Sequence, residues 1–220
     1  MGEIELCIID DHKIVRQGLK GLLESMGKYK VTYEFESGIA FLNALPLERP
    51  VDVYILDESM PHMRGVEVLQ ELEDLPDEYK VLFLSQHVEE RIIATAFQYG
   101  ARGFLNKSCT IEELTGVINN IADNGYHNIM DILKLVKKHN LLPKKSVRIK
   151  PTDLSSRELE FLAYVCDPRE YTYEEIARLM KVSEKTVDGY RSTIFERYKI
   201  KSKVGLVLFS FKHRLTEPFL

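Results

Sequence analysis

Short apolar runs alternate with amphipathic stretches over the first 125 residues of the chain. Runs ending at Ile9, Leu56, Leu84 and Leu105, with a weaker one over 30–35, have the length and composition of strands. Between them, helical spacing predicts helices over 12–26, 38–45, 66–72, 89–99 and 111–124. The first of these is read from Ile14, Leu19, Leu22, Leu23 and Met26. The last opens on Thr110-Ile111-Glu112-Glu113, a capping box in which a hydroxyl and a carboxylate satisfy orphan amides reciprocally. Five strand–helix units joined by right-handed crossovers predict an α/β fold, a doubly wound five-stranded parallel sheet.

The pattern changes after residue 125. Residues 129–138 form one amphipathic stretch, ended by Asn140 and Pro143, and 144–151 is a basic segment. We read 126–150 as a linker carrying one helix. From Leu154 onward the pattern is helical throughout. Ser155-Ser156-Arg157-Glu158 is a capping box opening a helix to about residue 165, and Thr172-Tyr173-Glu174-Glu175 opens a second. After Met180-Lys181-Val182, Ser183 caps a third helix to about residue 199, and a fourth runs over 202–213. Two short helices joined by three or four residues fit a helix-turn-helix within a small all-α domain over 151–220. A generic four-helix bundle has the same spacing.

Two domains suit a chain of 220 residues whose hydrophobic content is 45%. Charge separates them further. Residues 1–125 carry 11 Lys and Arg against 22 Asp and Glu, a net of −11; 126–150 is +6 and 151–220 is +1. An acidic front and a less acidic rear imply different partners. Cys7, Cys109 and Cys166 are scattered and odd in number, as expected of free thiols in a reducing compartment. The start of the chain has no basic, apolar leader, and no apolar run approaches the length of a membrane span, so a cytoplasmic protein without membrane contact is expected.

Candidate chemistry gathers at strand tips. Asp57 ends the run from Val51, Asp10-Asp11 ends the run from Ile4, Ser85 closes the fourth run, and Lys107 follows the fifth. In open α/β sheets, ligands bind in the crevice outside the carboxyl ends of the strands. Three converging carboxylates repel each other and call for a cation; all-oxygen ligation favours Mg²⁺, Ca²⁺ or Mn²⁺. With a hydroxyl and an ammonium added, such a site can hold a metal and a phosphoryl group together. The competing reading is that the acids are solvated strand ends or helix caps, which suits Asp11 before a helix at His12.

This pattern over about 1–125 resembles the receiver domain of bacterial response regulators, a flavodoxin-like fold. The resemblance implies Asp57 as phospho-acceptor, with Asp10 and Asp11 binding Mg²⁺ beside the Ser59 backbone carbonyl. It also implies Ser85 as switch hydroxyl, Phe104 as switch aromatic and Lys107 as phosphate-binding lysine. Met60-Pro61 with Gly65 matches the family's loop after the acceptor, where a tight turn must clear the site. Ser108 stands where the family usually has a cis-proline. Leu154-Ser155-Ser156-Arg157-Glu158, Glu175-Ile176-Ala177 and Val182-Ser183-Glu184-Lys185-Thr186-Val187 are similar to the LuxR-type helix-turn-helix. Together the two resemblances point to a NarL/FixJ-type response regulator.

The recognition helix implied is 183–198, with Val187, Ile194 and Tyr198 toward the core and Lys185, Asp188, Gly189 and Ser192 toward the groove. Lys181, Lys185, Thr186, Asp188, Gly189, Arg191, Ser192 and Lys201 are the residues expected at DNA, and Arg197, Lys199 and Lys203 are further candidates for phosphate. Asp188 replaces the usual basic residue and could accept from cytosine N4 or pair with Lys185. Tyr190 replaces the frequent histidine, and Gly189 costs about 1 kcal/mol mid-helix. A domain of net charge +1 binds DNA weakly as a monomer, so pairing of half-sites matters. A sensor histidine kinase, double-stranded promoter DNA and a homodimer formed on phosphorylation are the partners implied, and no enzyme activity is expected. Two rivals share some features. A haloacid dehalogenase-type phosphatase also uses an Asp nucleophile with Mg²⁺, but needs a second acid where Ser59 stands. A constitutive DNA-binding protein could carry a vestigial receiver.

Overall fold

The computed structural model describes residues 2–75, 77–86, 89–127, 153–167, 169, 171–198, 200, 203–213, 215 and 216. The helix expected over 129–138, the basic linker, Lys199 and Lys201 lie outside these residues. The chain divides into two compact units, Met1–Asn128 and Ile129–Leu220.

In the first unit, strands β1 (Ile4–Ile9), β2 (Tyr29–Phe35), β3 (Val53–Asp57), β4 (Val81–Ser85) and β5 (Ala101–Asn106) form one all-parallel sheet in the order β2-β1-β3-β4-β5. Helices α1 (Lys13–Glu24), α2 (Gly38–Asn43), α3 (Gly65–Asp74), α4 (Glu90–Gln98) and α5 (Ile111–Asn124) alternate with them. Every residue of β3 and β4 is buried, as both faces of a parallel sheet must be covered. Side chains alternate along each strand. Ile8, Ile55 and Leu82 pack with Leu23 of α1 and Leu114, Val117, Ile118 and Ile121 of α5. On the other set, Tyr54 meets Phe41 of α2 at 5.6 Å between ring centroids.

The order places β1 and β3 side by side, with their chain connections leaving in opposite directions. That switch point leaves a crevice at the carboxyl ends of the two strands. Asp10, Asp11 and Asp57 all sit there.

Two points of the sequence reading differ in the structure, the first of them belonging to the competing reading of the acids. Asp11 does not cap α1: the N-cap is His12, whose backbone N–H donates to Asp10 Oδ1 at 2.8 Å. The five apolar positions that identified this helix also do not share one buried face. Leu23 is buried, whereas Ile14, Leu22 and Met26 are 83%, 47% and 50% exposed. Periodicity recognised the helix without telling which side faces the sheet.

The second unit contains α6 (Ser156–Val165), α7 (Tyr173–Met180), α8 (Glu184–Tyr198) and α9 (Lys203–His213). Both capping boxes form, Ser155 with Glu158 and Thr172 with Glu175. Phe161, Leu162, Ile176, Val187, Ile194, Leu206 and Val207 are buried, giving the unit a core of its own. Lys181 adopts a left-handed conformation (φ 55°) after α7, and Val182 N–H returns to the Ala177 carbonyl at 3.0 Å. Ser183 Oγ then accepts from Thr186 N–H at 3.1 Å. These bonds make the tight turn between α7 and α8, the geometry of a helix-turn-helix.

Candidate functional site

Asp57 reaches the crevice because β3 is buried along its whole length and ends there. It is 1% exposed, and neither carboxylate oxygen meets a donor in hydrogen-bonding geometry. Lys107 Nζ lies 2.9 Å from Asp57 Oδ2 as an ion pair and 2.7 Å from Asp10 Oδ2. The lysine is aimed by its backbone: its N–H donates to the Ser85 carbonyl at 2.9 Å, tying the end of β5 to the end of β4. Ser108 does not disturb this, because among the described residues the cis peptide bond is Leu45–Pro46 and Lys107–Ser108 is trans. Ser108 Oγ and N–H both donate to Asn106 Oδ1, at 2.6 and 2.8 Å.

Burial pushes the Asp57 carboxyl above the usual carboxylate range; Lys107 and the Ser59 amide oppose this, while Asp10 adds to it. Burial would lower Lys107, but the two carboxylates outweigh it and hold the ammonium above its ordinary value. The ammonium therefore stays charged. One lysine facing three carboxylates leaves excess negative charge in the crevice.

Ligand atoms of Asp10, Asp11, His12 and Asp57 all lie within 4.8 Å of one another. Apart from the Lys107 ammonium beside Oδ2, the buried Asp57 oxygens meet no donor in hydrogen-bonding geometry, and neither does Asp11 Oδ1, although His12 Nδ1 stands 2.9 Å from it. Unsatisfied carboxylate oxygens at this spacing fit a divalent cation taking oxygen ligands.

Ser85 ends β4 one residue past Leu84, the partner of Asp57 across the sheet. Phe104 of β5, partly buried and three residues before Lys107, pairs in register with Phe83 of β4. Ser59 is exposed, in the loop after Asp57. Gly65 is required where it stands: a Cβ there would lie 2.4 Å from the Asp57 carbonyl oxygen, 2.8 Å from the Phe83 ring and 2.9 Å from Glu58 Cα.

Sequence reasoning missed Glu58 and Arg16. Glu58 is 2% exposed and accepts from Val66 N–H at 3.1 Å; Arg64 pairs with it. Burial raises its carboxyl, against the Val66 amide and Arg64. It braces the loop after Asp57 on the opposite side of the strand, which alternation from Asp57 could have signalled. Arg16 Nη1 donates to the Asp10 carbonyl at 2.5 Å, clamping α1 to the acidic pair.

In the second unit, Val187 and Ile194 are buried and Tyr198 is partly so. Lys181, Lys185, Asp188, Gly189 and Ser192 are exposed, as a groove-facing side requires. Thr186 is half-buried, its hydroxyl 2.8 Å from Ser183 Oγ in the cap. Asp188 pairs with Arg191 at 2.6 Å; the sequence offers Lys185 as one possible partner. Two phosphate candidates have work inside the fold. Arg197 donates to the Asp153 carbonyl at 3.1 Å and lies 3.4 Å from Glu158, and Lys203 is buried with its ammonium on the Tyr171 carbonyl. Lys203 is thereby removed from the DNA-facing set.

Residues 6–119 match the response regulator receiver domain family, and 152–210 match the bacterial regulatory proteins of the luxR family. The chain belongs to the NarL/FixJ-type response regulators, transcriptional regulators that join a receiver to a LuxR-type DNA-binding domain. The transcriptional regulatory protein UhpA of Escherichia coli (strain K12) is 34% identical over 204 residues, covering 92% of this chain and 95% of the relative. Response regulator UvrY of the same strain is 27% identical over 212 residues, covering 96% and 95%. Among solved structures, a LuxR-family two-component response regulator from Aurantimonas sp. SI85-9A1 shares the fold at TM-score 0.55 and 24% identity, over 64% of this chain and 99% of that one. RcsB from Salmonella enterica serovar Typhimurium, bound to promoter rprA, does so at 0.53 and 20%, over 94% and 97%. Among the described residues no helix is long and apolar enough to cross a membrane.

Proposed function

We propose that a sensor histidine kinase phosphorylates Asp57, and that the phosphorylated chain forms a homodimer whose paired C-terminal units bind promoter DNA. The observation that carries the reading is the Asp57 carboxylate itself: buried, short of hydrogen-bond donors, and met by an ammonium delivered from β5. A carboxylate in that state is held as a nucleophile for a phosphorus centre, with the cation that must offset phosphoryl charge already in place.

In the transfer, an Asp57 oxygen forms a bond to phosphorus as the phosphorus–nitrogen bond of a phosphohistidine breaks, giving an acyl phosphate and a free imidazole. Asp10, Asp11 and Asp57 would hold Mg²⁺, with the Ser59 carbonyl as a further oxygen donor. Bound there, the ion supplies positive charge to the transferring oxygens. Lys107 exchanges its contact with Asp57 for the phosphoryl group while keeping Asp10. Ser85, at the adjacent strand tip, donates its hydroxyl to a phosphoryl oxygen, and Phe104 follows into the space this leaves. The result is a shift between two receiver populations, biased by a covalent phosphate.

Lys181, Lys185, Asp188, Gly189, Arg191 and Ser192 form the face of α8 and its preceding turn that meets DNA. Sedimentation with and without beryllofluoride and Mg²⁺, together with binding to the protein's own promoter, tests the whole sequence of events. A monomer in both conditions with unchanged DNA affinity refutes it.

A further inference from the structure

Asp188 is the odd charge on a surface meant for a polyanion. Its carboxylate is 59% exposed, on the groove-facing side of α8, yet Oδ1 is 2.6 Å from Arg191 Nη2 one turn along the same helix. Arg191 is only 36% exposed, because it is held from several sides. Its guanidinium carbon lies 5.3 Å from the Tyr173 ring centroid and 5.9 Å from that of Phe195. The Tyr173 ring is in turn stacked on Phe161, whose side chain is fully buried. Arg191 thus bridges the middle of α8 and the first turn of α7, with a carboxylate on one edge and an aromatic face beneath.

An arginine in this setting has lost most of its rotamer freedom before any ligand arrives. A guanidinium has five donors in a rigid fork, so one edge can be spent on Asp188 while the other stays open. Its location matters too. When the second helix of a helix-turn-helix lies in the major groove, the first crosses the backbone. A guanidinium stacked on the first residue of α7 stands at that crossing, beside the positive end of the α7 dipole.

We infer that Asp188 is a positioning residue, which fixes Arg191 on Tyr173 as a preformed clamp for one DNA phosphate and does not itself read a base. The inference rests on the reading of α8 as the DNA-contacting helix. It accounts for an acid at this position without charging the domain a net phosphate contact. The repulsion from one carboxylate is offset by having the neighbouring cation ordered in advance, since ordering a long side chain on binding costs affinity.

The sign of one measurement separates this from simple repulsion or from base reading. The probe is a duplex selected from a random library by the full-length wild-type protein with beryllofluoride and Mg²⁺, and a scrambled duplex serves as control. Affinities are taken across a range of salt for wild type, Asp188→Ala, Arg191→Ala and the double variant. If Asp188 positions Arg191, Asp188→Ala weakens binding to the selected duplex by roughly fivefold, within the range for coupled neighbours. It also lowers the salt slope toward that of Arg191→Ala, which should fall by about one. In the Arg191→Ala background, removing Asp188 then costs nothing further. Asp188→Glu, able to span the same turn, should restore most of the slope.

A tighter complex and a steeper slope for Asp188→Ala in both backgrounds would overturn the proposal and leave Asp188 a repelling charge. Equal losses in both backgrounds, with an altered selected sequence, would make it a base reader and overturn it as well. Wild-type protein that does not prefer its selected duplex over the scrambled one refutes the DNA reading of α8, and this inference with it. Both positions are at least partly exposed, and melting curves verify that each variant is folded; should Asp188→Ala fail that check, Asp188→Asn takes its place in the cycle with the same expected signs.

Discussion

Lys107 Nζ stands 2.9 Å from Asp57 Oδ2, although β4 separates their strands in the sheet. The lysine bridges this gap by leaving β5 at its carboxyl end and extending across the tip of β4, where its own amide is anchored on Ser85. It also holds Asp10 at 2.7 Å. One cation therefore links the tips of β1 and β3 from β5, and any change in the charge on Asp57 is felt along that path.

Acetyl phosphate with Mg²⁺ should modify the protein at Asp57 alone, and Asp57→Asn should abolish the modification. Stability should be retained or slightly raised in the variant. Burial lifts the Asp57 carboxyl above its ordinary range, so its favourable contribution is present at low pH and lost as pH rises through the folded value. At neutral pH the ionised group costs free energy that asparagine does not, while Lys107 keeps Asp10. Peptide mapping locates the phosphate and thermal melts at two pH values follow the stability. Labelling of the variant at wild-type level refutes the assignment.

Metal binding should separate the acids from the lysine. Asp11→Ala should weaken Mg²⁺ by about tenfold or more, since few protein ligands hold it. Lys107→Ala should leave Mg²⁺ affinity nearly intact, or raise it by removing a competing cation from Asp57, while blocking the dimerisation proposed to follow phosphorylation. Isothermal titration reads the first and sedimentation the second. Equal loss of Mg²⁺ affinity in both variants contradicts the roles given to them.

The sheet and its acidic edge were legible in the sequence because a parallel strand buried on both faces reads as an unbroken apolar run, and a carboxylate at its end interrupts that run visibly. Capping boxes at Thr110, Ser155 and Thr172 were equally plain, since each depends on two residues three apart. What escaped were features set by direction and by partners distant in sequence. The exposed side of α1 depends on how the helix rolls on the sheet. Arg16 on the Asp10 carbonyl is a side chain reaching backbone, which no residue type announces. Lys203 looked like any surface cation near a recognition helix, yet its ammonium is buried on the Tyr171 carbonyl, 32 residues away. Asp188 had two cations within helical reach, and the aromatic shelf of Tyr173 gives Arg191 a fixed place that Lys185 lacks.

Gly65→Ala should be among the most damaging single-methyl changes in the first unit. The added Cβ would meet the Asp57 carbonyl oxygen at 2.4 Å and Glu58 Cα at 2.9 Å, and backbone cannot rotate away as a side chain can. Overpacking of this kind costs about 1–3 kcal/mol, and here the displaced atoms include the backbone at the end of β3. Urea unfolding should show the loss, and Mg²⁺ affinity should fall alongside it. A variant with unchanged stability and metal binding would mean that the loop after Asp57 can relax away from α3.

Glu158 gives the second unit a pH dependence of predictable sign. It is 6% exposed and closes the capping box at the start of α6, accepting from Ser155 N–H at 2.7 Å, with Arg197 at 3.4 Å. Burial alone would raise its carboxyl, but the Ser155 amide and hydroxyl and the Arg197 guanidinium outweigh burial and hold it below the usual range. A carboxyl whose folded value is depressed contributes stability above its unfolded value and loses it as pH falls through the folded one. Glu158→Gln should therefore cost about 1 kcal/mol at neutral pH, the size of a helix cap, with the cost shrinking once the medium is more acidic than the ordinary glutamate range. Hydrogen exchange of the α6 amides in the full chain, compared at neutral and acidic pH, reads the effect locally. A cost that persists undiminished in acid would show that Glu158 acts through its shape and neutral hydrogen bonding, and that its charge toward Arg197 contributes nothing to this fold.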